Sequence, residues 1–164
     1  MRNVSRKEKK FLVDMASAKQ LEGLLSQVVP GDLHNGSHGY PVRSLYFDTL
    51  HDRDFAEKLF GTDPRRKVRL RVYDPTADFA LLELKQKQGE NQRKRSLPLM
   101  RAEARRLIEG DFDGLLDRPE PFAAEIHALM SINGYRPKAI VEYDRTAFIA
   151  KENKTRVTFD RNIR

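Results

Sequence analysis

Two neighbouring runs in the middle of the chain alternate strictly between polar and apolar residues. In RRKVRLRVY, residues 65–73, the side chains of Lys67, Arg69, Arg71 and Tyr73 fall on one side of an extended strand and those of Val68, Leu70 and Val72 on the other. In residues 79–87, FALLELKQK, Leu81, Glu83, Lys85 and Lys87 share one face and Leu82 and Leu84 take the other. The PTAD turn at 75–78 predicts that the two runs form a hairpin with one apolar and one cationic face.

The same reading extends along the chain. Alternation predicts a first strand over 6–13, RKEKKFLV, and a second over 42–48. Between them Ser17 reads as the N-cap of a helix with the apolar stripe Leu21, Leu24, Leu25 and Val28, stopped by Pro30-Gly31. His34 and His38 lie in the Gly- and Asn-containing loop that follows, where they read as solvated side chains rather than metal ligands. A short helix is expected over 52–60, with Gly61 as its stop. After the hairpin a fifth strand is expected over 92–99, carrying Arg93, Lys94 and Arg95. Helical patterns follow at 102–108, around 112–117 and at 121–132, the last with Pro121 at its start and Gly134 beyond its end. Two strands, 139–149 and 155–160, joined by KENK, end the pattern. Antiparallel hairpins with helices inserted between groups of strands define an α+β fold.

Charge sharpens this picture. Residues 65–95 hold ten Lys/Arg and four acids, so that segment carries +6 of the chain's formal +7. A lone hairpin with exposed Arg and Lys is an ordinary solvated sheet face, but here five or six strands present cations at alternating positions. Like charges at that spacing repel, so the face calls for an anionic partner. Arginine forks and lysine ammonium groups suit phosphate oxygens. Neither GxxxxGK[ST] nor GxGxxG occurs, so side chains rather than a glycine loop would hold the phosphates. The cations sit on strands and not on a groove-reading helix, so nucleic acid is not the expected partner. The few interspersed carboxylates, among them Glu8 and Glu83, suit a divalent metal bridging phosphates. The 164 residues contain no cysteine, which excludes disulfides and thiolate metal sites, and no apolar run is long enough to span a membrane. A cytoplasmic location is expected.

Several segments together resemble the VTC domain family, the polyphosphate polymerase module of the triphosphate tunnel metalloenzyme (CYTH-like) superfamily. They are RKEKKF at 6–11, YPVRSLYFDT at 40–49, RRKVRLRVY at 65–73, ELKQK at 83–87, KR at 94–95, EYDRTAF at 142–148 and RVTFD at 156–160. The resemblance implies an antiparallel β tunnel with helices outside and basic residues inside. It also implies transfer of the terminal phosphoryl of ATP to a growing polyphosphate chain with Mn2+ or Mg2+. Lys10, Arg69, Arg71, Lys85, Arg145 and Arg156 match the family's phosphate-binding positions. Lys67, Lys87 and Lys94 match less closely, and Glu8 and Glu83 match inward carboxylates read as metal ligands. Arg69, Arg71, Lys85, Arg145 and Arg156 are the residues expected to serve the reaction. The superfamily's hydrolases begin with ExExK; here Arg6 replaces the first Glu, which favours the polymerase branch over a tripolyphosphatase. The family continues with strands carrying a metal-binding Glu and a late basic residue, neither of which occurs before Arg164. The expectation is therefore a single VTC-like domain over 1–164, shortened at its C-terminus, with an incomplete tunnel. A non-catalytic module for polyphosphate, triphosphate or inositol phosphates is the alternative. Members of the family it resembles often work beside membrane-embedded partners; nothing in these residues shows a membrane-protein partner.

Overall fold

The computed structural model describes residues 2–164, and side chains from residue 7 onward. Seven strands and four α-helices follow one another as β1 (Arg2–Arg6), α1 (Met15–Val28), β2 (Tyr40–Asp48), α2 (Arg53–Leu59), β3 (Arg65–Val72), β4 (Phe79–Gln88), β5 (Asn91–Met100), α3 (Arg101–Glu109), α4 (Pro121–Ile132), β6 (Arg136–Ile149) and β7 (Arg156–Arg161), with a 3-10 turn at Asp113–Leu115. The class is α+β with antiparallel pairing, as the alternation predicts. The chain divides into two compact units, residues 1–8 with 44–140 and residues 9–43 with 141–164.

In the first unit the strand order is β1-β5-β4-β3, followed by the Ser44–Asp48 half of β2. Register sets the two faces. Leu70 lies opposite Leu82 and Val68 opposite Leu84, while Leu82 also faces Leu97 and Ala80 faces Leu99. These side chains are buried, and they pack with Ala104 and Leu107 of α3 and with Phe122, Ala123, Ile126 and Met130 of α4. Removing such a surface from water is the main stabilising contribution, about 1.5–3 kcal/mol for each large side chain. The helices start and stop for local reasons. Asp48 Oδ1 and Oδ2 accept the Asp54 and Phe55 N–H groups at the start of α2. Glu103 Oε2 accepts the Met100 N–H at the start of α3. Gly110 ends α3 at φ 90°, in the left-handed region where a side chain would be strained. Between α2 and the start of β6 the buried Tyr135 hydroxyl donates to Asp54 Oδ2 at 2.8 Å. Burial, outweighing that hydrogen bond and helped by the Asp48 and Glu57 charges, pushes the Asp54 carboxyl up to about 6.

The second unit contains α1, the Tyr40–Arg43 part of β2, most of β6, and β7, in the strand order β2-β6-β7. Its β6–β7 hairpin places Arg145 opposite Asp160 and Ile149 opposite Arg156. Gly39 (φ +86°) is held against β6 so closely that a Cβ there would lie 2.4 Å from the Arg145 carbonyl oxygen, so no other residue fits without moving the backbone.

Three expectations are corrected. The first strand is Arg2–Arg6, and residues 7–14, four charged residues followed by Phe11, Leu12, Val13 and Asp14, form no strand. The helix cap is Asp14, whose carboxylate accepts the Ser17 N–H and hydroxyl, so Ser17 is the third helical residue and not the cap. In α1 only Ala18 is buried; Leu21, Leu24 and Val28 of the expected stripe are exposed.

Candidate functional site

The polar face of the first unit is ordered in rows across β3, β4 and β5. Lys67 lies opposite Lys85, and Lys85 opposite Lys94. One row on, Arg69 lies opposite Glu83, and Glu83 opposite Ser96. Arg71, opposite Leu81, opens the next row. Three lysines side by side on one face are a destabilising arrangement that counter-charge must offset. Among the described residues, Glu83 and Glu8 are carboxylates bonded to cations of these rows. Glu83, fully buried, accepts Arg69 Nε at 2.8 Å and Nη2 at 2.6 Å on Oε2, and Lys94 Nζ at 2.8 Å and the Ser96 hydroxyl at 3.3 Å on Oε1. Glu8 accepts Lys85 Nζ. Burial alone would raise the Glu83 carboxyl; Arg69, Lys94 and Arg71 outweigh it and hold it at about 2.

The remaining donors are also placed. Arg69 Nη1 donates to the Tyr46 hydroxyl at 3.0 Å, so all three guanidinium nitrogens have a partner. Arg71 Nε donates to Ser44 Oγ at 3.1 Å. Lys67 Nζ stands 6.0 Å from the centre of the Tyr46 ring. Burial would raise the Tyr46 phenol, but Arg69, Arg71 and Lys67 hold it below the usual range. Arg69 thus acts as a fixed strut, and Lys67, Lys85, Lys94 and Arg71 are arrayed around it.

In the second unit Arg145 Nε and Nη2 form a two-pronged bond with Asp160, each at 2.7 Å. Its guanidinium carbon lies 5.1 Å from the Tyr143 ring centre. Burial would lower the Arg145 pKa; the Asp160 hydrogen bonds and nearby Tyr143 outweigh it and raise it. Arg156 Nη2 donates to Asp32 at 2.9 Å and to the Tyr40 hydroxyl at 2.7 Å.

Placed on the structure, the sequence-derived residues separate. Lys67, Arg69, Arg71, Glu83, Lys85 and Lys94 come together on the first unit's polar face, and Lys87 lies on that face one row beyond Lys85, opposite Arg65 and Gln92. Glu8 reaches them through Lys85. Arg145 and Arg156 belong to the second unit, and Lys10 is exposed outside any strand. Lys94 alone of the 93–95 triplet shares the polar face. Arg95 turns to the other side, where it is buried, bonded to Glu125 and 4.7 Å from the Phe122 ring centre.

Sequence reasoning missed the tyrosines. Tyr46, Tyr73, Tyr143 and Tyr40 each touch one candidate arginine: Arg69, Arg71, Arg145 and Arg156 respectively. Tyr73 and Tyr143 stand two residues from their arginines, a same-face spacing that was legible; Tyr40 and Tyr46 meet theirs only through folding. Among the described residues no three His, Asp or Glu side chains stand together to hold a metal ion. With both Glu83 oxygens taken by cations, the residues do not fit a metal cage made by this chain's side chains alone.

An antiparallel α+β fold with one polar, cation-rich sheet face defines the class. Its fold is that of a "putative adenylate cyclase" from Bacillus halodurans, whose crystal structure matches with a TM-score of 0.55 over 96% of this chain and 70% of that one, at 17% identity. The VTC domain family model matches residues 5–164, and the chain belongs to that family. A search of curated proteins found no match. No helix among the described residues is long and apolar enough to cross a membrane.

Proposed function

We propose that the polar face of the first unit binds the phosphates of ATP and that the protein transfers a phosphoryl group from ATP to a growing polyphosphate chain. The observation that carries this reading is the row Lys67, Lys85, Lys94 beside Arg69 and Arg71, cations gathered in successive rows on one sheet face. A phosphate chain offers complementary negative charge along the strand direction. Adjacent rows are about 6–7 Å apart, so one phosphate chain laid along the strand direction would reach more than one row. In the transfer, these cations would neutralise charge on the moving phosphoryl while fixed strands hold donor and acceptor in line; positioning and electrostatics account for most of the rate in such reactions. Glu83 would act on the phosphates indirectly, by fixing Arg69 and Lys94. Mn2+ or Mg2+ fits as a companion of the phosphates, entering with them. Lys10, Lys87, Arg145 and Arg156 are included as phosphate ligands on the family resemblance, with ATP, triphosphate and polyphosphate as partners.

The test is incubation with ATP and Mn2+ or Mg2+ followed by gel analysis for long-chain polyphosphate. Product that lengthens with time supports the reading. Absence of product with tight binding of tripolyphosphate supports a binding module instead, a reading favoured by the lack of a three-carboxylate cluster among the described residues.

A further inference from the structure

The cations of the first unit converge on one hydroxyl, that of Tyr46. In β2 Phe47 packs in the core, so alternation turns Ser44 and Tyr46 to the polar side, against β3. Each accepts a hydrogen bond from an arginine there: Ser44 Oγ from Arg71 Nε at 3.1 Å, and the Tyr46 hydroxyl oxygen from Arg69 Nη1 at 3.0 Å. Lys67 Nζ stands 6.0 Å and the Arg69 guanidinium carbon 5.8 Å from the Tyr46 ring centre. Arg69 is itself fixed, because Glu83 holds its Nε and Nη2. The two serines of this face, Ser44 and Ser96, are buried, and Ser96 donates to Glu83. Tyr46 is only half-buried, so a ligand on the rows can reach its oxygen. Tyr73, the other phenol on this side, meets Arg71 alone among these cations. Burial would raise the Tyr46 phenol, yet Arg69, Arg71 and Lys67 bring it below an ordinary tyrosine, so its phenolate forms more readily.

We propose that Tyr46 is a covalent phosphoryl carrier, whose hydroxyl oxygen takes the terminal phosphoryl of ATP and passes it to the end of a phosphate chain. The proposal rests on the reading of the cationic rows as a phosphate site and adds the route that the phosphoryl takes. In the first step the bond from Tyr46 Oη to the terminal phosphorus forms as the bond from that phosphorus to the bridging oxygen breaks. ADP leaves with the electron pair, and the phenol proton passes to water. In the second step a terminal oxygen of the phosphate chain attacks the same phosphorus. The Tyr46 phenolate then leaves with the electron pair and regains a proton from water. A readily formed phenolate serves both steps, as the attacking group in the first and the leaving group in the second. Arg69 and Lys67, which face the phenolate, also meet the charge that develops on the moving phosphoryl, and they do so without having to reorganise. Splitting the transfer in two means that donor and acceptor need not occupy the face at the same time.

The test incubates the full chain with ATP and magnesium and no added phosphate chain. Intact-mass measurement after a rapid acid quench should find one added phosphoryl group, and peptide mapping should place it on Tyr46. Labelled ADP should exchange into ATP under the same conditions, because the first step runs backward when no acceptor is present. Addition of tripolyphosphate should discharge the modified protein. Tyr46→Phe should lose the label and the exchange and make no polyphosphate above background. It should still bind tripolyphosphate within about 10-fold of the unaltered protein, the most that one neutral hydrogen bond contributes. Tyr73→Phe should keep label and exchange. The carrier would be overturned, with the phosphate rows left intact, by ATP binding that gives neither label nor exchange. A label on another residue, a label that tripolyphosphate does not discharge, or polyphosphate made by Tyr46→Phe at the unaltered rate would overturn it equally. Failure of calorimetry to detect binding of either ATP or tripolyphosphate would overturn the phosphate reading itself, and the carrier with it.

Discussion

Replacing Glu83 with glutamine removes the buried negative charge shared by Arg69 and Lys94 while keeping the side chain's shape. Glu83 is fully buried and is the shared counter-ion of Arg69 and Lys94. Its carboxyl stands at about 2 in the folded protein, against an ordinary 4.5. That difference corresponds to about 3 kcal/mol of stability. Breaking one side of a buried pair elsewhere costs about 3–5 kcal/mol, a similar size. The sign follows from the depressed value: the contribution is fully present above pH 4.5 and is lost as pH falls toward 2. Urea unfolding of Glu83→Gln at pH 7 should therefore give a stability about 3 kcal/mol below that of the unaltered protein. At pH 3 the gap should shrink to about half, because the native carboxylate is by then losing its advantage. A gap under about 1 kcal/mol at pH 7, or the same gap at both pH values, would refute the claim that Glu83 acts as an ionised keystone.

Other consequences can be measured as readily. Arg71→Lys should weaken tripolyphosphate binding severalfold, because the planar fork is lost while the charge stays; equal affinity by calorimetry would show that the fork does not contact phosphate. Tyr135→Phe should cost about 1–3 kcal/mol by urea unfolding, since it leaves Asp54 buried without its hydrogen bond. Asp54, raised from 3.8 to about 6, favours the folded state most below pH 3.8 and loses that contribution as pH rises through 6. Asp54→Asn should thus flatten the fall in stability between pH 4 and 6.5, and an unchanged profile would exclude Asp54 as its source.

What was legible in the sequence is what local periodicity controls. The cationic faces of β3 and β4 follow from strict alternation, because neighbouring strands in register must bring Lys67, Lys85 and Lys94 into one row. The α4 helix is equally readable from Phe122, Ile126 and Met130, all buried. Local pattern misled at residues 7–14, where a charged run followed by Phe11, Leu12 and Val13 forms no strand, and at α1, whose apolar stripe is mostly exposed. Charge run alone also misled at 93–95: period two sends Arg95 to the helices and only Lys94 to the polar face. The counter-ions Glu125 and Asp32 lie 30 and 124 positions from the arginines they bind, so no window along the chain reveals them.

The central claim is that the lysine row on the first unit's polar face binds phosphate. Lys67 tests it most directly, because it lies in that row and stands over the Tyr46 ring. Titration of tripolyphosphate into the unaltered protein and into Lys67→Gln should show binding roughly 10-fold or more weaker in the variant, the loss of one charge-assisted hydrogen bond. Stability should be unchanged or slightly higher, because repulsion along the row is relieved. An affinity for tripolyphosphate equal to that of the unaltered protein, in a variant that melts normally, would contradict the claim.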